Sequence, residues 1–362
     1  MSTVRTLVVP RPGVLEVEET PEPPLAEGCF RAETLVSGVS AGTELTWYRG
    51  TSPYLATGWD AELGLFDPAG ERRSYPVRQL GYMEVARVTD TRTPAVAEGA
   101  VVAMAYGHAT VVHADPVTRH VVPLPDGLDP LLGVYVAHLG PICVNGVLHA
   151  AADAGGRELR DGVAGRLVAV IGGGAIGLLV GLLARVHGAA EVVVVDPTPQ
   201  RRAAAEGLGL TAVDDTPDLA RGLKTRWRHG PGDHGADVVF QCRGQSAALA
   251  TALRCARPQA SVVDLAFYTG GAPDLALGEE FHHNGLSVRC AQIGRVPRGL
   301  AHSWDRARLS RETLDLLADA GDLVRTHLLT DVVPFDDAPA FFADLSARRR
   351  HALSAVLEVT RS

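Results

Sequence analysis

Apolar and polar positions fall into two textures along this chain. Over roughly the first 135 residues the apolar runs are short and broken by proline and glycine. Thr6-Leu7-Val8-Val9, then Pro10-Arg11-Pro12-Gly13, then Val14-Leu15-Glu16-Val17 predicts a β-hairpin. Further short strands are predicted at Phe30–Val36, Gly81–Val88, Ala100–Met104 and Thr110–His113. Between Trp47 and Pro76 a polar and aromatic stretch has little periodicity, and a loop of that length usually carries function or moves. From Asp129 to about 300, apolar runs at 167–171, 192–195, 237–240, 261–265 and 287–292 alternate with alanine-rich helical stretches. That alternation predicts a parallel, doubly wound sheet. The tail predicts a helix (Arg311–Ala320), a strand near Leu328–Val333, a helix after Pro334–Ala338 and a final strand, Ala355–Val359. There is no internal repeat and no low-complexity segment.

The most informative stretch is Val168-Ala169-Val170-Ile171-Gly172-Gly173-Gly174-Ala175-Ile176-Gly177. A short apolar strand runs into Gly-x-Gly-x-x-Gly, which opens an apolar helix. The next apolar run, Val192–Val195, ends in Asp196. This order is what a dinucleotide site requires. Gly172 permits the tight turn and Gly174 lets the backbone approach a pyrophosphate. Gly177 lets helix and strand pack closely, and the helix N-terminus around Ala175 and Ile176 faces the phosphates. Asp196 can accept hydrogen bonds from both hydroxyls of an adenosine ribose. It favours NAD over NADP, whose 2′-phosphate would meet a like charge. Arg201 and Arg202 follow closely, and phosphate binding by that pair is the competing reading.

Composition narrows the class. At 362 residues the chain is long enough for two domains. A hydrophobic share of 46% against 21% charged is globular. A net charge of −8 argues against nucleic acid as partner and gives no positive hint of an anionic small-molecule substrate. Lys224 is the single lysine, which disfavours lysine-based catalysis; it is expected to be a solvated surface charge. Cys29, Cys143, Cys242, Cys255 and Cys290 are scattered and read as free thiols of a reducing compartment. The N-terminus lacks the apolar core of a signal peptide, and no stretch reads as a membrane helix. The expectation is a cytoplasmic protein without a membrane partner.

The β-rich start, central dinucleotide pattern and mixed tail together resemble the medium-chain dehydrogenase/reductase superfamily over nearly the whole chain. Three local matches add to the glycine motif: Gly38-Val39-Ser40-Ala41-Gly42-Thr43-Glu44, Gly81-Tyr82-Met83-Glu84-Val85-Ala86-Arg87-Val88, and Gln292-Ile293-Gly294-Arg295-Val296-Pro297-Arg298. The resemblance implies an α/β fold: a GroES-like β-rich catalytic domain plus a Rossmann doubly wound parallel sheet. The division expected is 1–135 for the catalytic domain, 136–300 for the dinucleotide-binding domain and 301–362 for a return segment completing the first. It further implies an active site in the cleft between domains, and a homodimer paired through Ser287–Ile293. The Ser-Ala-Gly-Thr-Glu and Gly-Tyr versions are similar to the bacteriochlorophyllide dehydrogenase-like branch, which oxidises a secondary alcohol with NAD. Arginine richness suggests a high-GC bacterium and, by association, secondary metabolism.

Zinc members of this superfamily hold the metal with a cysteine in the first loop, a histidine in a Gly-His-Glu motif, and a third cysteine, histidine or acid. Here those positions fall on Ala41 or Ser40, on Tyr82 with Met83 beside it, and near Gly140-Pro141. This is no zinc ligand set, and the four-cysteine structural lobe is missing. No metal is therefore expected. Among the histidines, His108, His113, His120, His138 and His149 have no metal spacing and read as surface or satisfied interior residues.

Without zinc, a side chain must handle the hydroxyl proton during hydride transfer. Thr43 matches the superfamily's relay hydroxyl and Glu44 the acidic position after it, usually structural. Tyr82 replaces a ligand and should face the cleft, where its phenol can donate to a substrate oxygen or merely fill the space. His108 is of a residue type suited to proton transfer near neutrality, although a structural role is the favoured reading of an isolated histidine. Asn145, on the helix expected under the nicotinamide, either bonds substrate or carboxamide or is a packed amide. By resemblance Arg201 contacts the adenosine ribose or phosphate, Cys242 and Arg243 line the adenine side, and Phe267, Tyr268 and Gln292 approach the nicotinamide half. Trp304, Asp305, Arg306 and Arg308 form either a substrate rim or a capped helix start. The expectation is an NAD-dependent, zinc-independent oxidoreductase on a secondary alcohol or ketone. A zinc-free enoyl or quinone reductase, a dinucleotide-binding regulator without turnover, and a tightly held NAD in a redox-neutral reaction are the alternatives.

Overall fold

A computed structural model describes residues 2–359. The chain divides into two compact units. Residues up to His138 together with those from Leu329 onward form one, and Leu139–Leu328 form the other.

The first unit opens with the expected hairpin, β1 (Thr3–Arg11) and β2 (Val14–Pro21), joined at Gly13 with φ +78. β3 (Phe30–Val39) is its central strand. Its alternating residues from Phe30 to Val36 are buried, as a strand with one covered face should be. Helix α1 (Ala41–Arg49) follows at once. The stretch expected to be irregular after it holds a small hairpin, β4 (Gly58–Asp60) with β5 (Leu65–Asp67). The aromatic residues of that stretch pack on each other, Tyr54 on Trp47 and Phe66, and Phe66 on Trp59. Then come β6 (Glu84–Thr91), β7 (Val101–Met104), β8 (Val111–Ala114), β9 (Val121–Pro123) and helix α2 (Pro130–Gly133), capped by the Asp129 carboxylate. The chain leaves this unit through a single π-helical turn, Tyr135–Leu139.

In the second unit come α3 (Gly140–Asp153), α4 (Leu159–Val163), β10 (Leu167–Ile171), α5 (Ala175–Val186), β11 (Glu191–Val195), α6 (Pro199–Gly207) and β12 (Thr211–Val213). They are followed by α7 (Leu219–Arg226), a short hairpin of β13 (Arg228–Gly230) and β14 (Asp233–His234), then β15 (Ala236–Gln241), α8 (Ser246–Cys255), β16 (Ala256–Asp264), α9 (Glu280–His283), β17 (Ser287–Cys290) and α10 (Arg306–His327). The parallel sheet runs β12-β11-β10-β15-β16-β17. β10 has neighbours on both sides, with Val168 level with Val192 and Val238, and is buried from Val168 to Ile171. A strand covered on both faces reads as a continuous apolar run, which is why its sequence shows no alternation. The strand order reverses between β10 and β15. Ligands in open parallel sheets bind outside the carboxyl ends of the strands at such a reversal.

The return segment supplies β18 (Leu329–Pro334), α11 (Ala338–Ser346) and β19 (Ser354–Glu358). β19 pairs antiparallel with β3, Ala355 opposite Val39, so the last strand completes the sheet order β18-β19-β3-β6-β7-β9. The expected crossing at 301 falls at 329 instead, because α10 packs on α3 and α6 within the second unit. The expectation that no stretch could cross a membrane also needs correction. Pro130–Asp153 is long and apolar enough, at mean hydropathy 1.7, but 83% of that window is buried. It is a core helix.

Candidate active site

The glycine turn of the second unit is shaped as its sequence requires. Gly172 takes φ +106, and a β-carbon there would lie 3.0 Å from Arg243 Cβ. A β-carbon on Gly177 would lie 1.8 Å from the Gly172 carbonyl oxygen, so only glycine closes this turn. Around Gly174, which caps α5 with backbone alone, a β-carbon would meet nothing within 4 Å. The first amides of α5, at Ala175 and Ile176, therefore lie where a phosphate can come close.

Asp196 stands at the end of β11, fully buried. Its Oδ2 accepts the Gly173 amide at 2.8 Å and its Oδ1 accepts the Thr198 amide at 2.8 Å. Arg201 Nη1 lies 3.3 Å from Oδ2, and Arg202 donates to the Asp196 carbonyl at 2.8 Å while pairing with Asp214. Desolvation pushes the Asp196 pKa up, but these amides and Arg201 outweigh it, so the carboxyl titrates below its usual range. Asp196 is thus already built into the glycine turn, and Arg202 is committed to protein partners.

The other expected cofactor residues cluster at the carboxyl ends of β15 and β16. Arg243 adjoins Gly172 and pairs with Asp215 at 3.4 Å. Cys242 donates its amide to Ile171, and burial holds its thiol well above the ordinary range. Phe267 is half exposed. Tyr268 is not open to a ligand through its hydroxyl, which donates to Asp264 at 2.9 Å and accepts from Gln241 at 3.1 Å. The Gln241–Tyr268–Asp264 network had no signal in the sequence. Desolvation raises the Asp264 pKa despite the Ala266 amide and the Tyr268 hydroxyl. Gln292 is exposed, with its Oε1 on the Gly294 amide at 2.6 Å. Asn145, fully buried, donates through Nδ2 to the carbonyls of Gln292 (3.3 Å) and Arg295 (3.2 Å). Its Oδ1 is buried without a hydrogen-bond partner. Cys143, earlier on the same helix, gives its thiol to the Ile176 carbonyl at 3.6 Å. Burial and nearby Arg289 lower the pKa of His149, on the same helix, to about 4, with the Arg295 backbone opposing them.

In the first unit the structure brings together residues that the sequence scatters. Ser40, which caps α1, bonds through its hydroxyl to the Tyr82 phenol. Glu44, in the first turn of α1, is buried; its Oε1 accepts the Ser40 amide at 2.7 Å and its Oε2 meets His108 Nε2 at 2.9 Å. His108 Nδ1 meets the Ser37 hydroxyl at 2.8 Å. His108 is therefore interior and fully bonded, as the structural reading allowed. Ser37 and Ser40, absent from the expected site, join it because strand and helix N-terminus bend back toward residues 80–108. Tyr82 also packs on His138, ring centroids 4.3 Å apart. Thr43 is half-buried, and its carbonyl accepts the Thr46 hydroxyl at 2.7 Å.

Two other expectations resolve. Trp304 is buried and donates to the Arg157 carbonyl, Arg308 stacks on its ring 3.7 Å from the centroid, and Asp305 caps α10. This is the capped helix start. Lys224 is not a solvated charge: it is half-buried, donates to the Ala256 carbonyl at 2.8 Å, and desolvation lowers its pKa.

A family model described as zinc-binding dehydrogenase matches residues 175–307. D-guloside 3-dehydrogenase of Shigella flexneri is 26% identical over 308 residues, 82% of this chain and 83% of that protein. Over most of its length the chain is similar to medium-chain, zinc-type dehydrogenases. Among solved structures, 2R,3R-butanediol dehydrogenase from Bacillus subtilis superposes with TM-score 0.74 at 19% identity, covering 99% of this chain and all of that one. A putative zinc-binding dehydrogenase from Sinorhizobium meliloti, bound to NADP, superposes with TM-score 0.75 at 20% identity, again over 99% of this chain and all of that one. These likenesses establish the GroES-like and Rossmann-type fold.

This similarity raises the question of zinc, and the donor chemistry answers poorly to it. Where the resemblance puts the superfamily's cysteine and histidine ligands, on Ala41 or, one residue back, Ser40, and on Tyr82, this chain has neither thiol nor imidazole; the Ser40 hydroxyl and the Tyr82 phenol bond to each other. Neither is a good zinc donor. Among the described residues, no group of three or more His, Cys, Asp or Glu is placed to hold a metal ion.

Proposed function

We propose that this dehydrogenase is NAD-dependent and zinc-independent, and interconverts a secondary alcohol and its ketone. The observation that carries the reading is the Ser40–Tyr82 hydroxyl pair, at or beside the positions where the resemblance puts metal ligands. When bound, the dinucleotide supplies or accepts the hydride at its nicotinamide ring. The chain's own task is then the proton. In reduction the Tyr82 phenol gives its proton to the carbonyl oxygen as negative charge builds there, and Ser40 donates a hydrogen bond to the phenolate left behind. In oxidation the same oxygen takes the hydroxyl proton away. Gly172, Gly174 and Gly177 cradle the pyrophosphate with the amides of Ala175 and Ile176. Asp196, whose Oδ2 now meets Arg201, would hold the adenosine ribose, and its buried charge disfavours a 2′-phosphate. The Ser-Ala-Gly-Thr-Glu loop supports a place near the bacteriochlorophyllide dehydrogenase-like branch, with a role in secondary metabolism.

The test is a panel of secondary alcohols, polyols and ketones assayed with NAD(H) and NADP(H), alongside metal analysis of the purified protein. The expected result is turnover with NAD(H), undiminished by chelator, on protein with far less than one zinc per chain. One tightly bound zinc whose removal abolishes turnover would overturn the metal argument. Tighter binding of NADPH than NADH would refute the role of Asp196. Dinucleotide binding without turnover across the panel would favour a regulatory protein.

A further inference from the structure

His108 touches both segments that carry the hydroxyl pair. On one side its Nε2 meets Glu44 Oε2 at 2.9 Å, and the other oxygen of that carboxylate holds the Ser40 amide at 2.7 Å. The same end of its ring lies against Gly81, the residue before Tyr82. Gly81 takes φ +90, and a β-carbon there would fall 2.8 Å from His108 Nε2 and 3.0 Å from Cδ2. The backbones are tied as well: the His108 amide donates to the Leu80 carbonyl at 2.9 Å, and a β-carbon on Gly107 would fall 2.5 Å from that same oxygen. His108 itself is 1% exposed and Ser37, on its Nδ1, is fully buried.

The chemistry fixes the direction of the bonds to Glu44. A buried carboxylate needs donors, and Glu44 finds two, the Ser40 amide and the imidazole N–H. Nε2 therefore carries a proton toward Glu44, while Nδ1 meets the Ser37 hydroxyl. The titratable groups facing this assembly are Glu44 on α1 and His138, whose ring packs on Tyr82. Glu84, two residues past Tyr82, has its carboxyl on Thr34.

We propose that His108 is a positioning residue for proton transfer. Held between Ser37 and Glu44 and seated against Gly81, it sets the distance and orientation between Ser40 and Tyr82. This rests on Tyr82 being the group that exchanges the substrate's proton. The buried chain Ser37–His108–Glu44 does not itself carry the proton; it holds rigid Ser40 and the Tyr82 phenol that exchanges it.

The experiment compares the full-length protein with His108→Leu, His108→Gln, Tyr82→Phe and the double variant His108→Leu/Tyr82→Phe. His108→Leu should lower kcat about 10- to 100-fold with the dinucleotide KM unchanged. His108→Gln, which keeps an N–H toward Glu44, should recover most of the loss. The double variant should be no worse than Tyr82→Phe alone, because both act on one step. A second readout needs no turnover. The phenolate absorbance lost in Tyr82→Phe gives the titration of Tyr82, which should move by roughly half a pH unit or more in His108→Leu. A folded His108→Leu protein with unchanged kcat and unchanged Tyr82 titration would overturn the proposal, as would additive losses in the double variant. If no substrate turns over at all, the proton-transfer reading fails, and the Tyr82 titration still decides whether His108 governs that phenol. Should His108→Leu not fold, Ser37→Ala carries the same expectation at smaller size, and its failure to move either readout has the same force.

Discussion

Glu84 offers the sharpest test of the first unit's electrostatics. It sits in β6 with no exposed surface; its Oε1 accepts the Thr34 hydroxyl and its Oε2 has no partner. Burial raises its pKa from 4.5 to about 8, the Thr34 bond offsetting only part of that. The folded chain therefore keeps this proton through neutrality, while the unfolded chain releases it near 4.5. Between those two values the unfolded state binds fewer protons, so stability falls as pH rises and levels off above the folded value. At about 1.4 kcal/mol per pH unit, the full loss is on the order of 5 kcal/mol. Glu84→Gln removes the titration yet keeps an acceptor for Thr34, and its unpaired amide replaces an already unpaired carboxylic O–H. Thermal unfolding of both proteins from about pH 5 to about pH 9 reads the effect. The two should be similar at the acidic end, with the variant increasingly the more stable toward the alkaline end. Parallel curves across the whole range would mean that Glu84 is ionised in the folded protein, and the reasoning would be wrong.

Two further outcomes follow from the second unit. Gly177→Ala places a β-carbon inside the van der Waals radius of the Gly172 carbonyl; the turn must open, at a cost of several kcal/mol, and dinucleotide affinity measured by fluorescence titration should be lost. Retained affinity would show that the turn is not the binding element. Asp196→Ala removes the acceptor of the Gly173 and Thr198 amides and the charge facing the ribose, so NADH should bind about tenfold more weakly and its advantage over NADPH should shrink. An unchanged NADH-to-NADPH ratio would move the discrimination elsewhere.

The parallel sheet was legible because its strands are covered on both faces and announce themselves as unbroken apolar runs. All five expected strands of that region are present within a few residues, and the glycine turn has the geometry its residue types demand. The tail was legible as elements but not as a division, since helix 306–327 reads the same whichever unit it packs against. The region after Trp47 was opaque for another reason. Its order comes from aromatic side chains meeting across a short hairpin, and such contacts leave no period in the sequence.

The candidate site divides the same way. Gly172, Gly174, Gly177 and Asp196 are adjacent in one βαβ passage, so local spacing alone places them together and predicts what they hold. The family resemblance also put Tyr82, and Ala41 or Ser40, at positions where zinc dehydrogenases keep metal ligands. That the Ser40 and Tyr82 hydroxyls bond each other, that Glu44 turns inward to hold Ser40, and that His108 locks Glu44 to the segment before Tyr82 depend on residues 37, 40, 44, 82 and 108. These meet only when β3, the start of α1 and the segments at 80–82 and 106–108 fold against one another. Hydrogen bonds between buried groups so far apart in sequence have no one-dimensional signature, because the burial that makes them obligatory is itself a product of the tertiary fold.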